Sequence, residues 1–180
     1  MTTQKLVAIV CIDTFSKKFE PFSPECLLPV PVSCNQTLLD LTIEFLLYNK
    51  VEDIFLVSAH HEARIQSYIE KSRYHGVRLL FDNKWRSVGD ALREIHTKGY
   101  IKSNSFILLA SPGIISNLDL TSNLDRHCAA SKKNRDIVMT VLCSPKLAYF
   151  PVAPDFCEIE CDVNGRIVNY TPPPTSKKPQ

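Results

Sequence analysis

Glycine is scarce in this chain: there are five among 180 residues, and the first is Gly76. A glycine-rich phosphate loop needs main-chain N–H groups brought close to an anion, often at positive φ, where a Cβ obstructs. A loop of that kind near the N-terminus is therefore excluded. An excess of charge of one sign is also missing. Lys and Arg number 21 against 19 Asp and Glu, a net charge of +2, so the total gives no electrostatic reason to expect a nucleic acid or a membrane as a direct partner. No apolar run approaches the ~18 residues of a membrane span. Residues 1–5 lead straight into an apolar strand pattern without signal-peptide architecture, so a cytoplasmic location is expected. The seven cysteines form no Cys-x-x-Cys pair and are odd in number, which makes reduced thiols the expectation. Cys157 and Cys161 stand four apart with no His nearby to complete a zinc set. No metal or other cofactor is expected.

What is present is an alternation of short apolar runs and helical patterns. Residues 6–12 read as a buried parallel strand, and further strands are expected over 54–58, 77–81, 106–110 and 137–143. Between them lie helical patterns. Residues 38–47 follow Thr37 as N-cap, with Asp40 placed for a capping box. Residues 61–71 carry Ile65, Tyr68 and Ile69 on one stripe, residues 90–98 turn Leu92 and Ile95 inward, and residues 118–130 form the last helix. Repeated βαβ units demand a mostly parallel sheet with helices on both faces, a Rossmann-like α/β fold in three layers. Near the C-terminus, Asn164-Gly165 between two β-type runs, 158–161 and 167–170, signals a β-hairpin. Residues 171–180 are proline-rich and basic, so the expected division is one domain over 1–170 and a disordered tail over 171–180.

The loop after the first strand runs Asp13-Thr14-Phe15-Ser16-Lys17-Lys18-Phe19-Glu20-Pro21-Phe22, followed by Pro24-Glu25-Cys26-Leu27-Leu28-Pro29. Its frame resembles the signature of sugar-phosphate nucleotidyltransferases, a family with a nucleotidyltransferase-like three-layer fold. There a strand ends in Leu-Ala-Gly-Gly, leads into Gly-Thr-Arg-Leu and continues to Pro-Lys-Pro-Leu. Laid over that pattern, the glycines fall on Asp13, Thr14 and Ser16, the arginine on Lys18 and the lysine on Glu25. The form with Asp-Ser/Thr-Phe, two basic residues, Phe-x-Pro and Leu-Leu-Pro is similar to one branch, the epsilon subunits of translation initiation factor 2B. Trp85-Arg86-Ser87-Val88-Gly89-Asp90-Ala91-Leu92-Arg93 and Ile114-Ile115-Ser116-Asn117 resemble two more motifs of that branch.

The resemblance implies a degenerate nucleotide site at Asp13, Thr14, Ser16, Lys18, Glu25, Ser87, Gly89, Asp90 and Gly113. Where the enzymes have Gly-Asp, with the Asp a magnesium ligand, this chain has Pro112-Gly113, and where they have Glu-Lys-Pro it has Tyr170-Thr171-Pro172. Loss of the carboxylate removes the metal anchor that phosphoryl transfer needs. The resemblance further implies no enzyme activity and a role in assembly and docking inside a guanine-nucleotide exchange complex. Gamma-type and other subunits of initiation factor 2B, and initiation factor 2 itself, would be the partners, with exchange activity outside this chain. A nucleotide-binding regulatory module and a residual sugar-phosphate nucleotidyltransferase are the alternatives. Other groups have plainer readings. His60-His61 with Glu62 read as loop solvation or helix capping, and Lys17-Lys18 and Lys132-Lys133 with Arg135 as solvated faces. Trp85 packs on the sheet edge or marks an interface. Ser111 lacks a nucleophile-elbow frame, and Cys11 and Cys143 are small core residues.

Overall fold

A computed structural model describes residues 5–13, 25–27, 36–72, 74–103, 105–112, 116–143 and 157–172. It divides into two compact units, Met1–Asn134 and Arg135–Gln180. The first unit alternates strand and helix: β1 Val7–Cys11, α1 Leu38–Tyr48, β2 Asp53–Ser58, α2 Glu62–Lys71, β3 Val77–Phe81, α3 Val88–Thr97, β4 Ile107–Leu109 and α4 Leu120–Lys133. A short 3₁₀ turn, Glu25–Leu27, follows β1. The four strands form one sheet in the order β3-β2-β1-β4, and every pairing is parallel. This is the mostly parallel, Rossmann-like α/β fold expected from the alternation.

Three layers follow from where the apolar side chains go. Ala8, Val10, Ile12, Ile54 and Leu56 face α1, α2 and α4, meeting Leu39, Ile43, Leu46, Ile65 and Leu120. Ile9, Cys11 and Val57 face the other way, onto Ala91 and Ile95 of α3 and onto Trp85. A parallel strand buried on both faces must be apolar at every position, and all five residues of β1 are buried. Each Leu or Ile so enclosed contributes about 1.5–3 kcal/mol relative to exposure. The helix starts are set by side chains. Thr37 and Asp40 form the expected reciprocal capping box at α1, Ser87 caps α3 and Asp119 caps α4. Helix α4 begins two residues after the expected start, because the Asp119 carboxylate takes the Thr121 and Ser122 amides.

The second unit carries the hairpin of β5 Glu158–Cys161 and β6 Ile167–Thr171, antiparallel with a register shift between Glu160 and Cys161. Gly165 takes φ +78° in the turn, and Asp162 Oδ1 accepts the Asn164 and Arg166 amides. Thr171, expected to open the tail, closes β6; residues 173–180 lie outside the described residues. Among the described residues the expected strand over 137–143 is not seen. Val138 and Met139 are exposed, as is Cys143, which is not the core residue expected from its apolar neighbours. Strand propensity records the fit of a side chain to a paired, half-buried surface. Among the described residues this run enters no ladder.

Candidate functional site

In open parallel sheets a ligand crevice lies beyond the carboxyl ends of the strands, where the chain order reverses. Here that reversal falls between β1, which leads on toward β2 and β3, and β4 on its other side. Asp13 stands just past the end of β1. The parallel register, with Cys11 beside Val57 and the Ile12 amide donating to the Val57 carbonyl at 3.1 Å, sets Asp13 next to the chain leaving β2. Its Oδ2 accepts the Ala59 N–H at 3.1 Å and lies 2.7 Å from His60 Nδ1. Ser58 Oγ is 3.5 Å from the same oxygen, but its single proton is directed to the His60 carbonyl at 2.7 Å. The carboxylate is thus turned toward β2 and held there.

The same charge bears on Cys11. Burial, with Asp13 adding to it, pushes that thiol up to about 11. A thiol so far from ionising is no nucleophile at neutral pH.

The second predicted cluster sits at the start of α3. Ser87 Oγ accepts the Asp90 amide at 3.2 Å, and Asp90 Oδ2 accepts the Arg86 amide at 3.1 Å. Arg93 closes the group, reaching Asp90 Oδ1 at 2.9 Å and the Gly89 carbonyl at 3.2 Å. The Arg86 amide and the Ser87 hydroxyl hold the Asp90 carboxyl below its ordinary value, and Arg93 adds to this. Of the amides about this helix N-terminus, where an anion would bind, those of Arg86 and Asp90 are engaged by the chain's own side chains. A Cβ at Gly89 would meet nothing nearer than 3.7 Å, so the fold itself does not require glycine there.

Of the remaining predicted positions, Thr14, Ser16, Lys18 and Gly113 lie outside the described residues, as do Lys17, Ile114 and Ile115. Glu25 opens the 3₁₀ turn, and its side chain lies outside the description too. Trp85 packs on the sheet. It is buried against the Ile9, Val57 and Ile95 face, with its indole N–H donating to Glu94 Oε2 at 2.6 Å. Among the described residues no group of His, Cys, Asp and Glu is arranged to hold a metal ion, and no helix there is long and apolar enough to cross a membrane.

Two features escaped sequence reasoning. The sequence suggests loop solvation or helix capping for His60, whereas its ring is a partner of Asp13. Its signal was available in principle, since parallel pairing of two adjacent βα units brings the residues just beyond their strands side by side. The other is Asp40. Beyond capping α1, it accepts the hydroxyls of Tyr68 at 2.6 Å and Tyr74 at 3.1 Å, which tie α1 to α2 and to the approach to β3.

No protein-family model matches the chain. Curated relatives do. Over 146 residues, 76% of this chain, it is 32% identical to "Translation initiation factor eIF2B subunit epsilon" of Schizosaccharomyces pombe. Over 145 residues, again 76% of the chain, it is 35% identical to the protein of the same name from Dictyostelium discoideum. The chain belongs to the eIF2B epsilon family. Identity at this level along three quarters of the chain reaches well past the short motifs around Asp13 and Ser87. The chain spans about a fifth of the length of the curated epsilon subunits it matches, 21% and 20% of them.

Proposed function

We propose that this chain is the nucleotidyltransferase-like region of an eIF2B epsilon-type subunit, that it transfers no nucleotide, and that it serves subunit assembly and docking in the guanine-nucleotide exchange complex. Gamma-type and other subunits of initiation factor 2B are its partners, and initiation factor 2 is the substrate of the complex. Exchange activity lies outside these residues.

The observation that carries the non-catalytic part is what occupies the positions predicted to face an anion. At the end of β1 Asp13 sits on Ala59 and His60, and at the start of α3 Asp90 sits on Arg86 and Arg93, so both described places carry the chain's own carboxylates. Phosphoryl transfer depends on fixed positive groups aimed at the phosphates, and negative charge at those places opposes it. Incubation of the chain with nucleoside triphosphates, sugar phosphates and magnesium is expected to release no pyrophosphate above a blank. Co-expression with a gamma-type subunit is expected to yield a stable pair. Turnover abolished by Asp13→Ala, or a chain that ignores the gamma-type subunit, would overturn the proposal.

A second reading, a nucleotide-binding regulatory module, draws on Gly89. A Cβ there would make only ordinary contact, with Arg93 and Ser87 side-chain atoms at 3.7 Å, so the local packing does not demand this glycine at the start of α3. Saturable nucleotide binding without turnover would favour it.

A further inference from the structure

We infer that the main-chain amide of Ala59 and the imidazole of His60 form an oxyanion site that the chain occupies with its own Asp13, and that this internal ligand keeps the crevice closed to phosphate groups. The inference rests on the non-catalytic reading and gives it a cause. An anion is already seated there: one carboxylate oxygen of Asp13 takes both donors, at 3.1 and 2.7 Å. An amide N–H and an imidazole N–H converging on one oxygen are donors that a phosphate oxygen also takes. The backbone of the loop that carries the donors is also held without Asp13. Ser58, fully buried at the end of β2, accepts the His60 amide at 3.3 Å and donates to the His60 carbonyl, which fixes the loop from its own side. His61, in the left-handed region at φ 59°, then turns the chain into α2.

Geometry also explains why free phosphate would not compete with the resident group. The Asp13 side chain is only 11% exposed, while His60 is 45% exposed, so solvent reaches the site from the His60 side. Residues 13 and 59 are held together by the β1–β2 ladder. A tethered carboxylate therefore acts at an effective concentration of mM or more, which a dilute free anion does not match. Removing the carboxylate leaves the two donors without that competitor, in a loop still fixed by Ser58.

The test is a titration of the 180-residue chain with inorganic phosphate, followed by phosphorus-31 line broadening and by thermal shift, after circular dichroism has confirmed that each variant is folded. Asp13→Ala is expected to bind phosphate at least about tenfold more tightly than the unaltered chain, as expected when a tethered competitor is removed. Asp13→Glu, which keeps the charge, is expected to stay closed, and Asp13→Ala combined with His60→Ala to lose the gain. A folded Asp13→Ala chain with no gain, or a gain that survives loss of His60, overturns the inference. If Asp13→Ala does not fold, Asp13→Asn decides by the same criterion, because it keeps the shape and removes the charge. Pyrophosphate release by the unaltered chain would sink the non-catalytic reading instead, and is scored in a separate assay.

Discussion

Gly76 is the glycine this fold cannot replace. It takes φ +77°, and a Cβ there would lie 2.3 Å from the Glu52 carbonyl oxygen, a backbone atom that cannot swing aside. Its own carbonyl accepts the Ile54 amide at the start of the β2–β3 ladder. Gly99 also has positive φ but meets nothing within 4 Å. Gly76→Ala is therefore expected to cost about 2 kcal/mol or more, beyond the ~1 kcal/mol of left-handed strain alone in Gly99→Ala, when urea midpoints are compared. Asp40 sets a second residue-scale expectation. Burial pulls its carboxyl upward, but the hydroxyl of Tyr68, the amide and hydroxyl of Thr37 and the hydroxyl of Tyr74 more than offset this, leaving it below the ordinary value. A carboxyl depressed by folding stabilises the protein fully above its unfolded pKa of about 3.9, and that contribution is lost as pH falls through the folded value. The melting-temperature gap between the native chain and Asp40→Asn should thus be widest near neutrality and shrink as pH drops below about 4.

At the scale of elements, the helices are joined by polar side chains at their ends as much as by the apolar layer between them. Asn49, buried at the end of α1, donates to the Phe45 carbonyl at 2.9 Å and accepts the Leu120 amide at 2.8 Å, which fixes where α4 begins. Leu120 is itself buried, so water does not easily replace that partner. Asn49→Ala is expected to destabilise the chain by about 1–3 kcal/mol, the cost of an unsatisfied buried donor. Amide hydrogen exchange should show the loss concentrated at the first turn of α4. The start of α1 was legible from Thr37 and Asp40 because capping is a matter of a few neighbouring residues. The stripe of Ile65, Tyr68 and Ile69 on α2 was legible for the same reason, and these residues do pack on the sheet. The run over 137–143 has strand composition but enters no ladder among the described residues, since composition states what could pair and not what does.

At the scale of the whole molecule, the exposed apolar residues bear on the proposed docking role. In the first unit Tyr48, Phe106, Leu108 and Leu118 stand open to solvent, and in the second Val138, Met139 and Val163 do. Large exposed apolar residues are ordinary when scattered and meaningful when they gather into a contact surface. The proposal of a docking domain is therefore tested on the intact chain. Sedimentation velocity over a concentration series is expected to show self-association that a gamma-type subunit suppresses by forming a heterodimer. A strictly monomeric chain indifferent to that subunit would favour the nucleotide-module reading. The chain alone is also expected to leave the rate of GDP release from initiation factor 2 unchanged, and acceleration would refute the division of labour proposed here.

The sequence by itself determined the parts that depend on neighbours along the chain. Continuous apolar strands, helical stripes, caps and the Asn164-Gly165 turn each report an environment through a local pattern. Together they required a parallel, Rossmann-like sheet, and the motif around Asp13 pointed to the family. Only the tertiary structure decided what the charged groups do. Asp13 and His60 are 47 positions apart, and nothing local in either announces the other. They meet because the β1–β2 ladder aligns Cys11 with Val57 and leaves the residues beyond them adjacent. Asp40 likewise finds Tyr68 and Tyr74 only after α1 and α2 have packed on the same face of the sheet. Apolar burial is non-directional, so its pattern survives in the sequence. Hydrogen bonds and ion pairs demand distances and angles that only register and packing fix.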